Sequence, residues 1–137
     1  MTTIEKTNNY NEAIRYLENA VSILKTKAKK EDKYYTDAKY VRMACGTAYS
    51  GVLLALDTYL SFKGKGITIK PNRRKSVEYY RGALTNLDKK LLTEFNVTYN
   101  ILLLDGYYEG ITKFDIIKSG LDSALTVINK IRPHGVN

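Results

Sequence analysis

The chain has one histidine, one cysteine and two prolines in 137 residues, and each scarcity closes off chemistry. Histidine is the commonest general base and a common metal ligand. The single copy, His134, follows Pro133 in the tail. One histidine and one cysteine cannot assemble a zinc set of the usual kinds. Ser-His-Asp and Cys-His arrangements would both depend on that same terminal residue. A lone Cys45 cannot form a disulfide within the chain, which suits a reducing cytoplasm. The shortage of proline favours long helices over many short strands. There is no Glu-x-x-His and no glycine-rich phosphate loop, since Gly64-Lys65-Gly66 is too short and follows no strand. Internal repeats and low-complexity tracts are also missing. The polar start, MTTIEKTNNYNE, has no charged-then-apolar pattern, so no signal peptide is expected. The expectation is therefore no catalytic residue, no metal and no cofactor, in a cytoplasmic protein.

Hydrophobic residues make up 44% of the chain, enough for one domain over residues 1–137 with a real core. The stretch Val41–Phe62 dominates. Wound as a helix, it is apolar over more than half its circumference and needs neighbours on more than one side. Its small residues Ala44, Ala48, Gly51 and Ala55 form a strip that a partner helix can approach closely. A narrow arc carries Thr47, Ser50, Asp57, Thr58 and Ser61, with Met43, Gly46 and Leu54 among them. The run is long enough to raise a membrane question, but Asp57 near mid-bilayer would be costly, so no membrane is expected.

The remaining helices follow from spacing. Ile14, Leu17, Val21, Leu24 and Ala28 predict a first helix beginning near Asn9, with Glu12 completing a near capping box. Thr36 and Asp37 predict the start of the central helix, with Thr36 as its cap. Lys63 to Lys75 is a loop by composition. Val77, Tyr80, Leu84, Leu87 and Leu91 predict a third helix from about Arg73 or Ser76 to Lys90. A break is expected near Asn96–Thr98, then a short helical segment through Tyr99–Leu104. Thr112 with Asp115 predicts the start of the last helix, with Phe114, Ile117, Leu121, Leu125 and Ile128 on its apolar stripe. The predicted fold is all-α: an up-and-down four-helix bundle with a short extra helical segment before the last helix.

The net charge of +8 is uneven. Lys25–Arg42 holds seven basic residues against three acidic, and Lys63–Arg81 holds seven against one. Segregated positive charge attracts polyanions, so Lys63, Lys65, Lys70, Arg73, Arg74 and Lys75 are the candidate nucleic-acid contacts. The twelve tyrosines are the other unusual feature. Tyr49, Tyr59 and Tyr80 fall on apolar stripes and read as core residues whose hydroxyls reach a partner. Tyr34-Tyr35 and Tyr79-Tyr80 stand beside basic runs, where aromatic rings can stack on bases.

The first half of the chain resembles a family. The helix YLENAVSIL (Tyr16–Leu24) and the Tyr/Ala-rich AKYVRMACGTAYSGVLLALDTYL (Ala38–Leu60) are similar to the first two helices of HEPN-type domains. These are small bacterial four-helix bundles, frequently dimeric. Catalytic HEPN proteins carry an Arg-x(4–6)-His motif near the end of the third helix and use it to cut RNA. The corresponding stretch here is Tyr99–Tyr108, where Asn100 matches the polar residue that often follows the arginine, and both the arginine and the histidine are missing. The resemblance thus implies a non-cleaving member. The leading expectation is a non-enzymatic protein acting by association, as a homodimer or with a partner protein. The alternative is an RNA- or DNA-binding module using the basic 63–81 stretch.

Overall fold

A computed structural model describes residues 1–64 and 76–134. The chain is all-α apart from one two-stranded hairpin among those residues. The first helix, α1 (Thr3–Ile23), starts six residues before the expected Asn9. Thr2 is the cap, its hydroxyl accepting the Glu5 N–H at 3.0 Å. Asn9 lies inside the helix, and its side-chain amide donates to Thr58 Oγ1 on the central helix at 3.1 Å. α1 then widens into one π turn, Leu24–Ala28.

A hairpin that the spacing did not predict follows: β1 (Lys30–Glu31) pairs antiparallel with β2 (Tyr34–Tyr35). Asp32 in the loop has a positive φ of 57°, which lets so short a loop reverse, and Lys29, which ends the π turn, has a φ of 55°. Thr36 was the expected cap of the central helix. Its hydroxyl instead donates to the Ala28 carbonyl at 2.7 Å and closes the end of the π turn. Asp37 caps α2 (Ala38–Phe62), accepting the Lys39 N–H at 3.0 Å.

α2 is the element the others cover. It packs against α1, both π segments and the last two helices. Ala44, Ala48, Gly51 and Ala55 are all buried, as the small strip requires. A Cβ at Gly51 would stand 3.0 Å from both the Ala13 carbonyl oxygen and Tyr16 Cβ. The α1 backbone therefore approaches as closely as glycine permits. Thr58 departs from its expected place on the wet arc: it is 1% exposed, and its hydroxyl donates to the Leu54 carbonyl.

The predicted third helix is two helices. α3 (Val77–Thr85) is capped by Ser76, and α4 (Lys89–Thr98) by Asp88. The apolar spacing runs through Asn86–Asp88 unbroken. Asp88 nonetheless ends α3 by accepting the Leu91 N–H at 3.0 Å. A short polar residue that satisfies a helix start outcompetes continued periodicity. No break occurs at Asn96–Thr98. α4 widens there into a ten-residue π-helix, Tyr99–Tyr108. Arg42 of α2 closes it, donating to the carbonyls of Tyr107 and Tyr108. α3 is thus a short separate helix of nine residues before α4.

α5 (Phe114–Asn129) begins at Lys113, whose side chain makes no capping bond. Thr112 does not cap it either. The hairpin holds this start instead: Phe114 N–H donates to the Lys33 carbonyl, Tyr35 N–H donates to the Thr112 carbonyl, and Tyr34 bridges Lys113. Ile117 and Ile128 are buried as expected, but Leu125 is exposed, and Gly120, Ala124 and Val127 take the inner face. No helix among the described residues is long and apolar enough to cross a membrane.

Candidate binding groove

The narrow arc of α2 does not simply face water. Met43, Gly46, Thr47 and Ser50 form one wall of a groove of about 750 Å³. The π-helix supplies Tyr99, Leu103, Tyr107 and Tyr108. With hydrogen bonds running from i to i+5, residues four and five apart stand above one another, so the π geometry aligns this row. Tyr49 and Leu53 of α2, Val77 and Tyr80 of α3, and Tyr16 of α1 complete the lining. Six of the twelve tyrosines therefore meet in one place.

The floor is an aromatic ladder. Tyr80 packs on Tyr79 and Phe95 with centroids 5.1 and 5.7 Å away. Tyr49 stands 6.4 Å from Phe95 and 6.5 Å from Tyr99. These are the separations at which rings attract edge-on or offset. Tyr80 donates its hydroxyl to Asp57 Oδ1 at 3.0 Å, so the one acid of α2 holds the ladder in place. Among the described residues, the phenols of Tyr16, Tyr49, Tyr99, Tyr107 and Tyr108 make no hydrogen bond within the chain. Thr47 and Ser50 donate to their own helix, at the Met43 and Gly46 carbonyls, and keep acceptor lone pairs. Among the described residues, no lining side chain carries a charge at neutral pH. The mouth is apolar as well: Met43, Tyr107 and Tyr108 are 48%, 46% and 59% exposed.

Burial raises the Tyr49 and Tyr80 phenols above their ordinary range, with Tyr99 adding to the first and Asp57 to the second. The unfolded chain loses such protons from about pH 10. Above that pH the native state holds more protons, so stability falls as pH rises. Urea midpoints should drop from about pH 10 upward, with buried tyrosinate absorbance appearing only on unfolding. Tyrosinate titrating fully in a still-folded protein would contradict this.

The residues singled out from composition fall elsewhere. Lys63 caps the end of α2 and is exposed, its ammonium 5.7 Å from the Tyr59 ring centroid. Lys65, Lys70, Arg73, Arg74 and Lys75 lie outside the described residues. Arg81, at the end of the same basic stretch, donates to Asn96 at 2.9 Å and Glu78 at 3.0 Å and lies 4.8 Å from the Tyr99 ring centroid. Cys45 is fully buried, and burial pushes its thiol up to about 12. The native protein should leave it unlabelled by a thiol reagent near pH 8.5, the ordinary thiol pKa being about that value. Full labelling should follow in denaturant. Rapid native labelling would show an access path that packing does not provide. Among the described residues, no group of three or more His, Cys, Asp and Glu could hold a metal ion.

Composition alone hid the groove because its lining is spread over four elements. The only local signal was the pairing of Met43 and Gly46 with Thr47 and Ser50 on one arc of α2.

A solved structure of a protein of unknown function from Dyadobacter fermentans is similar to this chain, with 40% identity over 96% of this chain and 97% of that one, at a TM-score of 0.81. No curated protein matches the chain. The model for the domain of unknown function DUF5618 matches residues 8–133, and the chain belongs to that family.

Proposed function

We propose that this protein is a non-enzymatic, HEPN-like helical protein that acts by association, and that the tyrosine-lined face of α2 and the π-helix is where a second copy or a partner protein sits. One observation carries the reading: Met43, Tyr107 and Tyr108 stand exposed together around a concave lining. Contiguous exposed apolar groups rimming a cleft mark interaction sites more often than solitary ones do. The arrangement we infer is an up-and-down bundle of α1, α2, α4 with its π continuation, and α5. Its support is the pairwise packing of these elements and their ties at opposite ends, Asp88 with Lys130 at one and Arg42 with Tyr108 at the other.

Light scattering tests the homodimer form. A mass near twice the 15.6 kDa chain, falling to the chain mass in Tyr107→Ser/Tyr108→Ser, supports it. A dimer untouched by those changes would place association on another face.

A second reading is nucleic-acid binding through the basic stretches. Lys25, Lys27, Lys29 and Lys33 are exposed and form no ion pair among the described residues, leaving their charge available to phosphates. A mobility shift at low salt, lost with a log–log slope of about −0.7 to −0.9 per phosphate contact, supports it. No retention of RNA or DNA at low salt removes it.

A further inference from the structure

We infer that the floor of the groove is a binding site for a small planar aromatic molecule carrying an oxygen acceptor, and that the Tyr49 phenol donates the hydrogen bond that orients it. This goes beyond the association reading, since it concerns the floor and holds whether or not a partner covers the mouth. Tyr49 is the first ground. The residue is only 8% exposed, yet it lines the groove. Its hydroxyl makes no hydrogen bond among the described residues. Nor is its oxygen sealed in the core, so it opens into the groove. A donor on so buried a residue is nearly always satisfied, and this one takes its acceptor from outside the chain. Burial raises the phenol further above its ordinary value of about 10, so at neutral pH it is a donor. The Arg81 charge reaches the same hydroxyl and favours an electron-rich group beside it.

Pre-organisation is the second ground. The rings around Tyr49 are held in place by the chain itself. Asp57 fixes the Tyr80 hydroxyl at 3.0 Å. Tyr99 lies 4.8 Å from Arg81, whose guanidinium is in turn held by Asn96 and Glu78. Arg42 anchors the carbonyls of Tyr107 and Tyr108. Fixed aromatic faces attract a planar ring set edge-on or offset against them. Sites for small molecules are concave, of roughly 300–1,000 Å³, with aromatic walls and a few placed polar groups. The groove, at about 750 Å³, has that size and that make-up.

The test measures binding of acetylnaphthalene and ethylnaphthalene to the full chain by equilibrium dialysis. The two share a ring system and an outline, and only the first has a carbonyl oxygen. Tyr49→Phe should weaken acetylnaphthalene about fivefold, the worth of one hydrogen bond, and leave ethylnaphthalene unchanged. The variant should keep the wild-type urea midpoint, since the lost hydroxyl has no partner among the described residues. Unchanged binding of ethylnaphthalene shows that the floor itself is intact. Equal weakening of both compounds, or of neither, overturns the inference. So does a failure of acetylnaphthalene to saturate the wild type. Light scattering on the same samples separates this site from association. A dimer that Tyr107→Ser/Tyr108→Ser dissociates, with no acetylnaphthalene bound, overturns the ligand site and leaves association standing. Tyr49-dependent binding by a strictly monomeric chain supports the ligand site and removes the homodimer.

Discussion

Replacing Asp88 with alanine should destabilise the protein by about 3 kcal/mol. The carboxylate joins three elements. Oδ1 accepts the Leu91 N–H and starts α4, while Oδ2 accepts the Tyr59 hydroxyl of α2 at 3.0 Å and lies 3.2 Å from Lys130 Nζ beyond α5. Losing an N-cap costs about 1–2 kcal/mol. Stranding a hydroxyl that served a charged acceptor costs about 1–2 more. Lys130 is half exposed, so its ion pair adds little. Asp88→Asn keeps a capping oxygen and should lose only about 1 kcal/mol.

The same residue sets acid behaviour. Desolvation pushes the Asp88 carboxyl up, but the Leu91 N–H, the Tyr59 hydroxyl and Lys130 outweigh it, and the net direction is down. Its contribution is therefore present above the unfolded value of about 4 and lost as pH falls through the lower folded one. Urea unfolding of wild type and Asp88→Ala at neutral and acid pH checks both statements. The gap between the two proteins should narrow in acid. Equal stability at neutral pH would show that α3 and α4 need no junction residue.

Gly106→Ala should cost about 2 kcal/mol, although alanine is the better helix former by about 1. A methyl at Gly106 would lie 2.7 Å from Cys45 Cβ and against its sulfur, so the π-helix would have to lift from α2. Overpacking of this kind costs about 1–3 kcal/mol. Gly82→Ala is the control. That position, exposed in α3, has nothing within 4 Å of an added Cβ, and the change should stabilise by about 0.5–1 kcal/mol. Adding Cys45→Gly to Gly106→Ala should lose less than the two single changes together, because each makes room for the other. Strict additivity would mean the clash is relieved elsewhere.

The fate of particular residues shows what was legible in the sequence. Val41–Phe62 was readable as the central helix because an arc that is apolar over most of a turn admits only burial. Gly51 was readable as a close contact because an interior glycine needs a reason. Asp88 was not readable as a helix boundary: the apolar spacing on either side agrees by chance of register, and only the cap reveals the turn. The π-helix was invisible for a related reason. Its Asp-Gly and Tyr-Tyr pairs resemble a stop, but the Arg42 guanidinium, 66 positions away from Tyr108, satisfies the carbonyls that would otherwise end the helix. The start of α5 likewise depends on Lys33 and Tyr34 from a distant hairpin rather than on Thr112. The groove inherits all of these failures, since its walls meet only once α3 turns at Asp88 and the π-helix runs on to Tyr108.

The most direct test is hydroxyl-radical footprinting of the protein in its own cells against the purified chain at high dilution. Modification of Met43, Tyr107 and Tyr108 should be severalfold lower in the cell, while Tyr34 and Leu125, exposed elsewhere on the surface, react alike in both. Equal reactivity of the groove residues in the two settings, or protection confined to Tyr34 and Leu125, would contradict the assignment of this face as the one that is covered.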